Sequence, residues 1–354
     1  MSLLKLYTSK GFEDLANQIF QDNFDRDPKL SQELNERQKH LMYQDVLYNL
    51  SFLETAIHHN DEKMFVEYTK WLMGLLCHLM KRFSLDRIKE QMITHFLLVK
   101  EHIEKEENIE YSECALSFLD SAIDAIKNYQ ESALHEDASN IEKEPYASVK
   151  RAYLDALLNT DTKKAMEIIL NLSEFGVDLP TVYNILKEVM VEVGELWHKN
   201  KITVDKEHYC TVTTQNILAQ FYPEIFSKEK KEFRILACCV GDELHELGMR
   251  MLSDIFEYNG WDSIYLGSVV PVESIVHSVE ENQPDLVALS VTMPQHLSLC
   301  KEAVQTIKET YPDMKVAVGG RAFQVNNIHW EDWGADVSAE SAVKLYQWAK
   351  EYFE

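Results

Sequence analysis

From residue 233 onward the chain alternates short apolar runs with amphipathic stretches, and Leu286-Val287-Ala288-Leu289-Ser290-Val291 is the clearest such run. A strand that is apolar on both faces must be covered on both faces, which is the condition of a parallel sheet flanked by helices. The pattern predicts strands at 233–240, 262–266, 285–291, 315–318 and 336–338. It predicts helices at 245–258, 272–281, 297–310, 323–331 and 340–352, with Gly260-Trp261 and Gln283-Pro284-Asp285 as punctuation. The expected fold of residues 233–354 is therefore α/β: a doubly wound, five-stranded parallel sheet of the Rossmann or flavodoxin-like kind.

Everything before that sheet reads as helix. Apolar residues recur near a 3.6 period in 35–57 and 63–80, and two further helices are expected at 85–103 and 114–126. With no proline between Pro28 and Pro145, residues 1–132 suit an all-helical bundle, serving as a sensor or interaction domain. The acidic, polar stretch at 133–145 ends in proline and reads as a linker. A second helical group over 146–228 is expected to hold helices at 147–158, 162–172, 179–198 and 204–226.

Composition narrows the function. A net charge of −24 argues against a nucleic-acid surface, and no basic recognition helix is visible. No apolar run approaches the ~20 residues that a membrane-spanning helix needs. The N-terminus lacks the apolar core and cleavage site of a signal peptide. The six cysteines show no Cys-x-x-Cys spacing, so they read as reduced thiols of a cytoplasmic protein. Cys238-Cys239 lie in a core strand and read as packing; His277, His296 and His329 read as surface residues.

The chemistry concentrates where the first strand ends, at Gly241-Asp242-Glu243-Leu244-His245-Glu246-Leu247-Gly248. A loop there sits at the carboxyl edge of the sheet, where open α/β folds bind ligands. Glu243, His245 and Gly248 are spaced acid-x-His-x-x-Gly. The third strand brings Ser290 and Thr292 to the same edge, the fourth brings Gly319-Gly320, and Leu266-Gly267 with Pro271 closes the second.

On these residues the segment 233–354 resembles a cobalamin-binding domain in which the vitamin's own base is displaced and a histidine of the protein replaces it. The resemblance implies His245 as cobalt ligand, Gly248 as motif glycine, and Ser290, Thr292, Gly319 and Gly320 as contacts to the nucleotide tail. The acid is usually Asp in that family; here Glu243 would accept the ring N–H and orient the imidazole. The preceding helices sharpen the likeness. Trp197 and His198, followed by Glu207-His208, resemble the signature of light-sensing cobalamin regulators, whose four-helix cap holds a 5′-deoxyadenosyl group. By that resemblance Trp197 packs on the adenosyl group and Glu207 bonds to it, with His208 nearby. His198 takes the upper cobalt position after light breaks the Co–C bond.

The likeness covers about residues 145–354 and implies a photoreceptor binding adenosylcobalamin rather than an enzyme. Its output would pass through a change of homo-oligomeric assembly or through an unidentified signalling protein. The rival reading is a corrinoid carrier of a methyltransferase system. A mutase lacks its barrel here, and a haem or nucleotide at the sheet edge is a weaker alternative. Residues 1–132 carry His40, His58, His59, Cys77, His78, His95 and His102 with several aromatics, among them Tyr43, Tyr48, Phe52, Phe65, Tyr68 and Trp71. This layout resembles photocobilins, in which a helical region beside the cobalamin module binds a bilin such as biliverdin, and Cys77-His78 is a candidate attachment point.

Overall fold

The computed structural model describes residues 10–105, 112–130, 140–142 and 145–354. The chain forms two compact units. One is built on the N-terminal helices, with Met293–Leu299 and Val325–Ile328, and the other on the remainder.

The first unit is a helical bundle: α1 (Lys10–Arg26), α2 (Leu30–Glu33), α3 (Glu36–His58), α4 (Glu62–Leu79), α5 (Leu85–Lys105) and α6 (Ser112–Asn128). Asn35 and Gln38 close a capping box at the start of α3, and the Asp61 carboxylate accepts the Met64 N–H at the start of α4. Ile19, Phe65, Met73, Phe96, Leu119 and Ile126 are fully buried between the helices. Phe52 and Tyr68 stack at 3.8 Å. His95 lies in this interior, its ring nitrogens 3.3 Å and 3.1 Å from the side-chain amides of Asn23 and Asn49. Burial pushes its pKa down to about 4, so the ring is neutral.

The second unit joins a helical cap to an α/β domain. The cap comprises α7 (Ala147–Leu158), α8 (Thr162–Glu174), α9 (Leu179–His198) and α10 (Val204–Leu218), then a 3₁₀ turn at Ala219–Phe221 and α11 (Tyr222–Ile225). Asp161 and Asp178 accept the Lys164 and Thr181 N–H groups and so set where α8 and α9 begin. The single helix expected over 204–226 breaks because Pro223 has no N–H to donate and its ring would meet the carbonyl of Ala219. Pro223 instead opens α11 from within its first turn. Part of the expected linker also belongs to the cap: Ile141, in a short 3₁₀ turn, is buried in the cap core.

In the α/β domain the strands are β1 (Arg234–Val240), β2 (Asp262–Val270), β3 (Leu286–Ser290), β4 (Lys315–Gly319) and β5 (Val337–Ala339). They form one parallel sheet in the order β2-β1-β3-β4-β5, the flavodoxin-like order. The helices are α12 (Leu247–Tyr258), α13 (Val272–Asn282), α14 (Leu297–Thr310), α15 (Arg321–Val325) and α16 (Ala342–Phe353). Three expectations need correction. The second strand continues to Val270 through register shifts, with Gly267 and Val269 at positive φ. The helix expected at 323–331 is instead α15 and a 3₁₀ turn at Trp330–Trp333, because Asn326-Asn327 between them has low helix propensity. Cys238 and Cys239 are buried in β1. His277 and His329 are exposed as expected; His296 is not, being buried to 3% exposure in the turn at Pro294–His296.

Helix α12 joins the two parts of this unit. Met249 and Phe256 pack toward the sheet core, while Met251 and Ile255 join the core of the cap. The Tyr183 hydroxyl on α9 donates to the Asp254 carboxylate at 2.8 Å, and burial pushes Asp254 up to about 6. Among the described residues, no helix is long and apolar enough to cross a membrane.

Candidate functional site

Strand β1 is buried from Ile235 to Val240 and delivers the chain to Gly241, whose φ of 87° suits glycine. The loop that follows is pinned by carboxylates on either side of His245. Both oxygens of the buried Glu243 accept the Thr292 N–H, at 2.9 and 3.1 Å. Thr292 lies just beyond β3, so this contact spans β1 and β3, where the order of the sheet reverses. Glu243, expected to accept the ring N–H of His245, here accepts the backbone N–H of Thr292 across the crevice.

Glu246 pins the other side. It accepts from Gln215 Nε2 on α10 at 3.0 Å and from Ser268 Oγ at 3.2 Å, and the Tyr265 hydroxyl lies 3.4 Å away. One carboxylate thus ties the loop to the cap and to the edge strand β2. Residue-type reasoning overlooked Glu246, Gln215, Tyr265 and Ser268. A second acid beside the motif histidine was the available signal, but its partners come from distant parts of the chain.

Between these anchors His245 is exposed, and among the described residues its ring makes no hydrogen bond. Surrounding protein lowers its pKa from the ordinary value by desolvation, while the Glu207 charge on the cap acts in the opposite sense. The imidazole is therefore held toward its neutral form, the form that can donate a lone pair to a metal. Gly248, in the first turn of α12, is exposed, and a Cβ built there would meet nothing within 4 Å.

The far side of the crevice is tight by contrast. Gly320 has a φ of 98°, and a Cβ there would collide with the Val291 carbonyl and stand 2.9 Å from Ser290 Oγ. A Cβ on Gly319 would lie 3.1 Å from the Ala339 carbonyl oxygen. The two glycines thus bring the ends of β3, β4 and β5 close together and place Ser290 beside them.

On the cap, Trp197 and His198 are half-buried in the last turn of α9. The chain reverses through Asn200, at a φ of 49°, and α10 begins with Asp205 and Glu207 in its first turn. The exposed His208 donates from Nδ1 to Glu207 Oε2 at 2.6 Å, and Thr211 donates to Glu207 Oε1 at 2.9 Å. The structure brings together Glu243 with Thr292, Gly320 with Ser290, and Glu207 with His208, and it sets the Glu207 charge toward His245. Among the described residues, no cluster of three or more His, Cys, Asp or Glu is arranged to hold a metal unaided.

In the N-terminal unit the bundle forms a partly open cavity of about 290 Å³. Of the histidines, cysteine and aromatics read as candidates for a bilin site, His95 lines it, whereas Cys77, His78, Phe52, Phe65, Tyr68 and Trp71 do not. An apolar cavity of roughly 150 Å³ accepts one benzene ring. By that measure this one has room for about two rings within its walls.

Comparison with known proteins places this site in a class. Residues 233–345 match a B12 binding domain, and residues 149–222 match a second family also described as a B12 binding domain. The cap and the sheet thus form a B12-binding module, and the chain is a cobalamin-binding protein. It is 26% identical over 188 residues to a corrinoid protein of Desulfitobacterium hafniense (strain Y51), covering 50% of this chain and 86% of that one. It is 27% identical over 169 residues to dimethylamine corrinoid protein 1 of Methanosarcina acetivorans, covering 46% and 77%. It is 26% identical over 141 residues to the HTH-type transcriptional repressor CarH of Myxococcus xanthus, covering 39% of this chain and 46% of the repressor. The monomethylamine corrinoid protein of Methanosarcina barkeri shares the fold, with a TM-score of 0.52 at 19% identity, over 59% of this chain and all of that one.

Proposed function

We propose that this protein is a light sensor that holds adenosylcobalamin between its cap and the carboxyl edge of its sheet. The observation that carries this reading is that the charge of Glu207, which shares the α9–α10 corner with Trp197, His198 and His208, acts on the exposed His245, an imidazole kept toward its neutral form. A corrin ring already surrounds its cobalt with nitrogen, so a single histidine is enough to add, which suits a loop that offers one free imidazole. When bound, the cofactor would supply a light-labile cobalt–carbon bond and an open cobalt position.

The protein's own residues do the rest. Glu243 and Glu246 hold the His245 loop, so the imidazole would bind the cobalt at little entropic cost. The open space over Gly248 leaves room for the ring, and Ser290, Thr292, Gly319 and Gly320 line the slot for the nucleotide tail. Trp197 covers the upper ligand and Glu207 bonds to it, with His208 fixing the carboxylate. His198, the last residue of α9, would offer a second imidazole to the cobalt once the adenosyl group is lost. Because Gln215 and Tyr183 tie the cap to Glu246 and Asp254, a shift of the cap changes contacts on α12 and alters assembly or partner binding. On this reading the chain is not an enzyme, works in the cytoplasm without nucleic acid, and signals through its own oligomers or a partner protein.

The test is an absorption spectrum of the full chain loaded with adenosylcobalamin in the dark, taken before and after green light. A light-dependent change that His198→Ala alters supports the reading; an unchanged spectrum, or a photoproduct identical in His198→Ala, sinks it. The named corrinoid relatives favour a second reading, a corrinoid carrier of a methyltransferase system. That reading predicts exchange of a methyl group with a partner methyltransferase in darkness and no dependence of assembly on light. A biliverdin site in the bundle, the further element of the photocobilin likeness, would show as a visible absorption band on adding biliverdin.

A further inference from the structure

The cavity in the N-terminal bundle lies among α2, α3, α4 and α5, with Leu41, Val46, Leu72, Leu76, Ile88 and Met92 among its apolar walls. Its polar lining can be accounted for group by group. Arg87 is held by Asp27 and Glu33, each at 2.6 Å. Gln38 accepts the Asn35 N–H, and Gln91 donates to Asp27. His95 uses both ring nitrogens on Asn23 and Asn49, and Asn49 Oδ1 accepts from the Tyr68 hydroxyl.

One group is left over. Asp45, on the cavity face of α3 one turn before Asn49, makes no hydrogen bond or ion pair among the described residues. Asp45 is part-buried, and burial raises its pKa to about 6, as expected of a carboxylate beside apolar walls with no donor within bonding distance. A ligand that fits must therefore bring a donor to Asp45 and apolar surface to the Leu, Ile, Val and Met side chains of the walls. It must also be about two rings in size, given room for one ring in roughly 150 Å³.

We propose that this cavity binds a small lipophilic amine, its protonated nitrogen on the Asp45 carboxylate and its apolar body between α3, α4 and α5. The bundle is then a second sensing element, one that reads a small molecule independently of any ligand at the sheet edge.

The test is calorimetric titration of the full chain at neutral pH with 1-naphthylmethylamine and with 1-naphthoate, which carries the same rings and the opposite charge. The amine is expected to bind, and the naphthoate to bind about ten- to hundredfold more weakly, the range of a charge-assisted hydrogen bond. Asp45→Asn, which keeps the side-chain shape, should weaken the amine by a similar factor and leave thermal unfolding cooperative. Leu76→Trp, which fills the cavity, should remove binding of the amine. Failure of the wild-type chain to bind the amine overturns the proposal. So does equal binding of the naphthoate, or unchanged affinity in Asp45→Asn.

Discussion

His95 and His245 show how differently the two units use the same side chain. In the bundle, His95 is buried at 5% exposure, and both ring nitrogens are engaged by asparagine amides. At the sheet edge, His245 is exposed while its neighbours are the ones engaged, Glu243 to Thr292 and Glu246 to Gln215 and Ser268. Desolvation by surrounding protein lowers the pKa of both rings, but the hydrogen bonds leave one with no capacity to spare and the other, among the described residues, with neither nitrogen bonded. A fully bonded histidine is structure; a loop clamped on both sides of an unbonded histidine is prepared for a ligand.

Substitutions can break or sharpen this contrast. The largest effect on stability is expected from His95→Ala, which leaves a void and strands Asn23 and Asn49, a loss of about 3–4 kcal/mol by chemical denaturation. Gly320→Ala forces an L side chain into positive φ against the Val291 carbonyl and should cost about 2–3 kcal/mol. A loss below 1 kcal/mol would mean that β3 and β4 part easily.

Acid titration separates the bundle's two groups with burial-shifted pKa values, the bonded His95 and Asp45, unpaired among the described residues. His95 has a folded pKa of about 4, below its unfolded value, so its contribution is complete above about pH 6.5 and is lost as pH falls toward 4. Asp45 has a folded pKa of about 6, above its unfolded value, so its burial penalty is relieved as pH falls from 6 toward 3.8. The two oppose each other. Asp45→Asn should therefore steepen the loss of stability between pH 6 and 4 by roughly 2 kcal/mol, read from denaturation midpoints. An unchanged pH profile would contradict the burial of Asp45.

Smaller effects follow in the second unit. Tyr183→Phe removes the hydroxyl that meets Asp254 and should cost about 1 kcal/mol. His245→Ala should change stability by less than about 0.5 kcal/mol, as expected of an exposed side chain, while removing the histidine-ligated cobalamin spectrum. If His245→Ala destabilised the fold as much as His95→Ala, the distinction between the two histidines would fail.

Much of this architecture is legible from local chemistry. The bounds of α7 and α9 coincide with the expected helices, and α9 begins where Asp178 and Pro180 mark a helix start. The five strands follow from their apolar runs. The misreadings have physical causes as well. Val204–Leu218 ends before the expected 226 because Pro223 acts four residues upstream of itself, and β2 overruns Gly267 because glycine there makes a bulge rather than an end. Ile141 and His296 looked polar or exposed from their neighbours alone, yet both are buried.

What the sequence alone determined is the arrangement set by periodicity and by the length of apolar runs: helices first, then a covered parallel sheet, with His245 in the loop after its first strand. Those signals act between residues a few positions apart, so no partner from elsewhere is needed to read them. The tertiary structure decided how each polar group is used. Glu243 meets Thr292 49 residues on, Gln215 meets Glu246 across 31, and His95 meets Asn23 across 72. Hydrogen bonds form where the fold brings donor and acceptor within about 3 Å, and separation along the chain does not encode that distance.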